Sequence, residues 1–275
     1  MDLFDEIIET LKCEQEISEY TYISPESLKS FYSVTDELRE EISKDRQQLS
    51  KTDSHTESSD SRQKDNLSNA EQQFQVNTQK EAADYTHLDM LQLKDAVTNC
   101  NKCGLCRSRN NTVFGEGSST ANLMLIGEGP GRDEDQQGLP FVGRSGQLLT
   151  KMLKAMGFAR EQVFITNIVK CRPPQNRNPS PDEADACMPY LLRQIEVIQP
   201  KAIVLLGAVP MKFVLNKTGI TRIHGQWFEF RGIKTLPTFH PSFLLRDPRQ
   251  KKYAWEDLQK VMKVLGKKYI TTNKA

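Results

Sequence analysis

Three short apolar runs, residues 123–126, 163–166 and 202–206, mark the middle of the 275-residue chain, and segments of helical periodicity fall near 146–155, 182–198 and 209–215. Runs of this length suit strands buried on both faces, and parallel strands need long, usually helical, crossovers between them. The order strand, helix, strand, helix therefore predicts an α/β chain: a three-layer sandwich with a central, mainly parallel sheet. A hairpin-like pair, 227–230 and 233–236 around Arg231-Gly232, follows, and a last helix covers about 252–265. In such sheets ligands bind beyond the carboxyl ends of the strands. Three polar segments fall there: after Ile126, after Thr166 and around His240.

Charge divides the chain more sharply than its net +1 suggests. Residues 1–84 hold 20 acidic against 9 basic side chains, whereas the remainder holds 16 against 28. A basic body suits a polyanionic partner, although a solvated lysine-rich face gives the same count. In the acidic head, the spacing of Leu3, Phe4, Ile7, Ile8 and Leu11, and Ser24-Pro25-Glu26 ahead of Leu28 and Phe31, predicts helices within 1–46. Residues 47–84 are rich in Ser, Asp, Gln and Asn, too polar to offset their ordering entropy, and read as a disordered linker. The folded domain is expected over 85–275, and the head is read as a segment for an unknown partner. No run approaches the ~18 apolar residues of a membrane helix. The acidic start, Met1-Asp2-Leu3-Phe4, lacks the basic-then-apolar pattern of a secretory signal, which predicts a cytoplasmic protein without membrane contact.

In that compartment six cysteines point to a metal or cluster and not to disulfides. Cys100, Cys103 and Cys106 are spaced at intervals of three, and Cys171 and Cys187 follow much later. Four-cysteine sites hold either structural zinc or an iron–sulfur cluster, and spacing does not separate the two. Cys13, in the head, reads as an ordinary thiol.

Gly127-Glu128-Gly129-Pro130-Gly131 follows the first apolar run. It fits neither dinucleotide nor P-loop pattern, because the glycine spacing is wrong and Pro130 removes an amide donor from the cradle. Beyond it stand Arg132-Asp133-Glu134-Asp135 and Gly138-Leu139-Pro140-Phe141-Val142-Gly143-Arg144-Ser145-Gly146. This stretch resembles the first motif of the family 4 uracil-DNA glycosylases. Thr166-Asn167-Ile168-Val169-Lys170-Cys171-Arg172-Pro173-Pro174 resembles the second, and His240-Pro241-Ser242-Phe243-Leu244-Leu245-Arg246 the third. The likeness spans roughly 97–265 and does not extend to the head. A related family that traps DNA covalently carries His where this chain has Cys171, and a KRRIH insertion soon after; Arg222-Ile223-His224 comes too late to match.

The resemblance implies a DNA repair enzyme that flips uracil out of single- or double-stranded DNA and hydrolyses its glycosidic bond as a monomer. It implies a 4Fe-4S cluster on Cys100, Cys103, Cys171 and Cys187, with Cys106 outside the ligand set. A non-catalytic iron–sulfur DNA-binding module is the alternative reading of the same motifs. Phe141 is expected to stack on the base and Asn167 to pair with its edge, since an amide offers one acceptor and one donor to N3–H and O4 of uracil. Glu134 is expected near C5, and Gly129 lines the pocket where related enzymes carry Asp. His240 is the candidate donor to O2, with Glu128 or Asn176 as the residue that handles water. Lys170, Arg172, Arg177 and Arg246 are expected on phosphates, and Leu244 or Leu245 as a wedge in the vacated space.

Overall fold

The computed structural model describes residues 85–267; the helices expected within 1–46 and the linker expected over 47–84 lie outside the described residues. Six strands form one sheet: β1 (Glu116–Gly117), β2 (Leu123–Gly127), β3 (Phe164–Asn167), β4 (Ala202–Leu206), β5 (Phe228–Phe230) and β6 (Ile233–Thr238), in the order β1-β3-β2-β4-β6-β5. The central four are parallel, with Ile126 opposite Thr166 and Leu205 and with Val204 opposite Leu236. Both edge strands run antiparallel. β5 and β6 form the expected hairpin, its two-residue turn made by Arg231 and Gly232, both at positive φ as such turns demand.

Eight α-helices flank the sheet among the described residues: α1 (Met90–Thr98), α2 (Arg132–Gln137), α3 (Arg144–Ala155), α4 (Pro181–Ile198), α5 (Ala208–Leu215), α6 (Ile220–Ile223), α7 (Pro241–Arg246) and α8 (Lys251–Val264). Local chemistry sets their starts. Asp89 caps α1 with Gln92 completing the box, and Ser180 caps α4 ahead of Pro181 and Glu183. None of these helices is long and apolar enough to cross a membrane.

Every residue of β2 and β4 is buried, as two-sided burial of parallel strands requires. Met124, Ile126, Ile203 and Leu205 share one core with Val97 of α1, Leu191 and Ile195 of α4 and Met211 of α5. Leu125 and Val204, pointing to the opposite face by the two-residue period, are equally buried. That face is closed as well, and α8 packs against β6. The sheet is thus held rigid from both sides, which leaves its carboxyl edge as the place where side chains can face a ligand.

Candidate active site

The carboxyl ends of β2, β3, β4 and β6 open into one cleft of about 570 Å³. Glu128 and Gly129 reach it from the loop after β2, Glu134 from α2, Phe141 from the turn before α3 and Asn167 from the last position of β3. Asn176 and Arg177 enter from the 3-10 turn Pro174–Asn176 and its exit, and His240 and Arg246 from α7 and its cap. Three motifs distant in sequence thereby meet because β3, β2, β4 and β6 lie side by side with their carboxyl ends on one edge of the sheet.

Asn167 is 1% exposed, and its Oδ1 is a buried side-chain atom that no protein group pairs. Leaving such an acceptor unsatisfied costs on the order of 1–3 kcal/mol, so it marks a place for a donor from outside the protein. Gly127 makes the arrangement possible. A Cβ there would lie 2.4 Å from Asn167 Oδ1 and 2.6 Å from Phe141 Cζ, so only glycine lets the amide and the ring sit side by side.

Phe141 adopts φ +52°, a strained conformation for a bulky residue. Its neighbours hold it there. The Glu134 carboxylate accepts from the backbone N–H groups of Gly131 (3.1 Å), Val142 (3.0 Å) and Gly143 (3.0 Å), and Arg160 donates to the Pro140 carbonyl. A Cβ on Gly146 would lie 1.8 Å from the Phe141 carbonyl oxygen, so glycine is required where α3 passes that turn.

His240 caps α7. Its Nδ1 accepts from the Ser242 backbone N–H at 3.1 Å and lies 2.7 Å from the Ser242 hydroxyl, so the neutral ring carries its proton on Nε2. Burial, reinforced by the Arg246 guanidinium, lowers its pKa from 6.5 to about 4. The ring is therefore an uncharged N–H donor at neutral pH. Burial also raises the pKa of Glu128. Arg177 forms a two-pronged pair with Glu183, at 2.7 and 2.8 Å, that pulls the Glu183 carboxyl down to about 2, while Arg172 Nε donates to Asn176 Oδ1 at 2.7 Å and fixes that amide.

A second pocket is lined by Cys100, Cys103, Cys106, Cys171 and Cys187 together with Arg109 and Lys170. Arg109 Nη1 donates to Cys171 Sγ at 3.2 Å and the Lys170 backbone N–H to Cys187 Sγ at 3.3 Å. No carboxylate or imidazole lines it, and its soft, all-sulfur donor set is that of zinc or iron–sulfur chemistry. Among the described residues, no group of three or more His, Cys, Asp or Glu side chains is arranged to hold a single metal ion.

The uracil DNA glycosylase superfamily matches residues 114–259. The chain belongs to that superfamily. A type-4 uracil-DNA glycosylase of Sulfurisphaera tokodaii is 46% identical over 179 residues, 62% of this chain and 81% of that protein. One from Thermotoga maritima is 43% identical over 189 residues, 66% of this chain and 98% of that protein. A type-5 enzyme of Pyrobaculum aerophilum is more distant, 31% identical over 144 residues, 46% of this chain and 63% of that protein. Within the superfamily the chain therefore falls with the type-4 proteins.

Two expectations for the superfamily's DNA-facing side chains need correction. Lys170 does not face outward: it is 1% exposed and all its donors are used inside the protein. Leu244 is fully buried as the core-facing residue of α7, and its neighbour Leu245 is the exposed one. Sequence reading missed Ser242, which sets the His240 tautomer, and Arg109 and Arg160. Ser242 was legible two residues after His240; the arginines act on partners 62 and 20 residues away, which no local pattern reveals.

Proposed function

We propose that this chain binds a uracil flipped from single- or double-stranded DNA and hydrolyses its N-glycosidic bond, releasing uracil and leaving an abasic site. The unpaired Asn167 Oδ1, buried beside the Phe141 ring and opening into the cleft, carries this reading. It is an acceptor for uracil N3–H, and the amide nitrogen is a donor for O4; cytosine presents the opposite pattern at those atoms. Phe141 offers the stacking face that repays part of the few kcal/mol of base flipping. As the C1′–N1 bond breaks, its electron pair moves onto the uracil ring, and the Nε2–H of neutral His240 stabilises the charge at O2. Water adds to C1′, handled by Glu128 or Asn176, and the proton it gives up neutralises the departing uracil anion, so that a C1′ hydroxyl and free uracil result.

The same reading assigns Gly129 to the pocket floor, Glu134 to holding the Phe141 turn, Arg172, Arg177 and Arg246 to the DNA side, and exposed Leu245 to the wedge. Cys100, Cys103, Cys171 and Cys187 would hold a 4Fe-4S cluster, supported by the all-sulfur pocket and its N–H···S donors. Bound there, the cluster supplies a cross-link between three chain segments. The protein works as a cytoplasmic monomer, its folded domain over 85–275, with the acidic head reserved for another partner.

The test is incubation with a uracil-containing single-stranded oligonucleotide and its thymine control, followed by alkaline cleavage at abasic sites. Uracil-dependent cleavage that Asn167→Ala and His240→Ala both abolish supports the reading. DNA binding without cleavage by an iron-loaded wild type overturns it in favour of a binding module.

A further inference from the structure

We infer that Lys170 is a positioning residue that ties base recognition by Asn167 to the state of the cysteine pocket. This rests on the glycosylase reading above. Lys170 is 1% exposed, and its Nζ donates to the Asn167 carbonyl oxygen at 2.8 Å, to Gln194 Oε1 at 2.8 Å and to Thr166 Oγ1 at 2.5 Å. An ammonium has three protons, and all three are used. The acceptors are all uncharged.

The same residue touches both sites through different atoms. Its backbone N–H donates to Cys187 Sγ at 3.3 Å, and its side chain folds back over the end of β3 to hold the main chain of Asn167. Gln194 and Thr166 are themselves fixed, both donating to the Phe114 carbonyl, at 2.9 and 3.0 Å. The ammonium is thus braced from α4 and pulls on the residue whose amide opens into the cleft. When the cysteine centre is disassembled, Cys187 no longer anchors the Lys170 main chain, the Lys170 side chain shifts with it, the hold on Asn167 loosens, and the Oδ1 acceptor moves away from the base edge. A misplacement near 1 Å is enough to cost a large factor in rate.

Lys170→Met in the iron-loaded full chain removes the charge while keeping the length. Expected are a fall in kcat/KM on uracil DNA of about tenfold and an equal weakening of inhibition by free uracil, the scale seen when partners behind a ligand are lost. Affinity for an abasic-site oligonucleotide stays unchanged, and loss of iron to a chelator becomes faster. Gln194→Met removes one brace without touching the cleft and shifts the same readouts in the same direction, so it carries the test should Lys170→Met not fold. Wild-type kcat/KM and free-uracil inhibition in Gln194→Met or Lys170→Met overturn the inference, as does a loss of uracil inhibition with an unchanged rate of iron loss. An inactive wild type overturns the glycosylase reading instead.

Discussion

The rings of Phe141 and His240 face one another with centroids 5.7 Å apart and planes inclined by 34°. One comes from the turn before α3 and the other from the cap of α7, and these two helices pack together. The stacking surface and the N–H donor are therefore set by one helix contact, which fixes how a flat ligand lies between the strand ends.

His240 gives a pH signature. Folded, it titrates near 4, against 6.5 when unfolded, because burial and the Arg246 charge oppose protonation. Between those values the unfolded chain binds more protons, so native stability falls as pH drops from 6.5 toward 4. Activity, carried by the neutral ring, is lost lower, around pH 4. Thermal denaturation across this range should show the stability gap between wild type and His240→Ala narrowing as pH falls. A gap that stays constant contradicts the assignment.

Asn167→Ala should separate stability from function. The substitution removes an unpaired buried acceptor, whose burial costs on the order of 1–3 kcal/mol, and leaves a small void that offsets part of the gain. The melting temperature should stay level or rise, while uracil release falls by a factor on the order of 100 or more. A clear loss of stability would mean that Oδ1 is paired in solution.

Glu134→Ala strips the acceptor from three backbone amides around Phe141, and a destabilisation of about 3 kcal/mol is expected. Glu134→Gln retains one carbonyl oxygen and should lose less. Calorimetry on the two variants checks the order, and equal stabilities would remove the scaffold role.

The cysteines divide by role. Cys103→Ser should lower iron and sulfide content and the visible absorption, whereas Cys106→Ser should leave them unchanged even though both thiols line the same pocket. Metal analysis of the purified variants decides, and loss of iron in Cys106→Ser would bring that thiol into the ligand set.

Much of this protein is legible in its sequence because its chemistry is local. The runs at 123–126 and 202–206 were apolar throughout, and they became strands buried on both faces. The helix near 182–198 was visible in its periodicity, and the hairpin in Arg231-Gly232. Elements of four to six residues, such as α2, α6 and α7, were not seen, since so short a helix shows no period. Tertiary structure decided what each polar side chain does. Lys170 and Arg172 flank the same cysteine and read alike as basic residues, yet one is locked under Asn167 and the other orients Asn176. Leu244 and Leu245 differ only in which side of α7 meets the core. Residue type and spacing determine which groups are present and where strands end, but burial and long-range partners determine whether a charge or a ring faces the ligand or holds the residue that does.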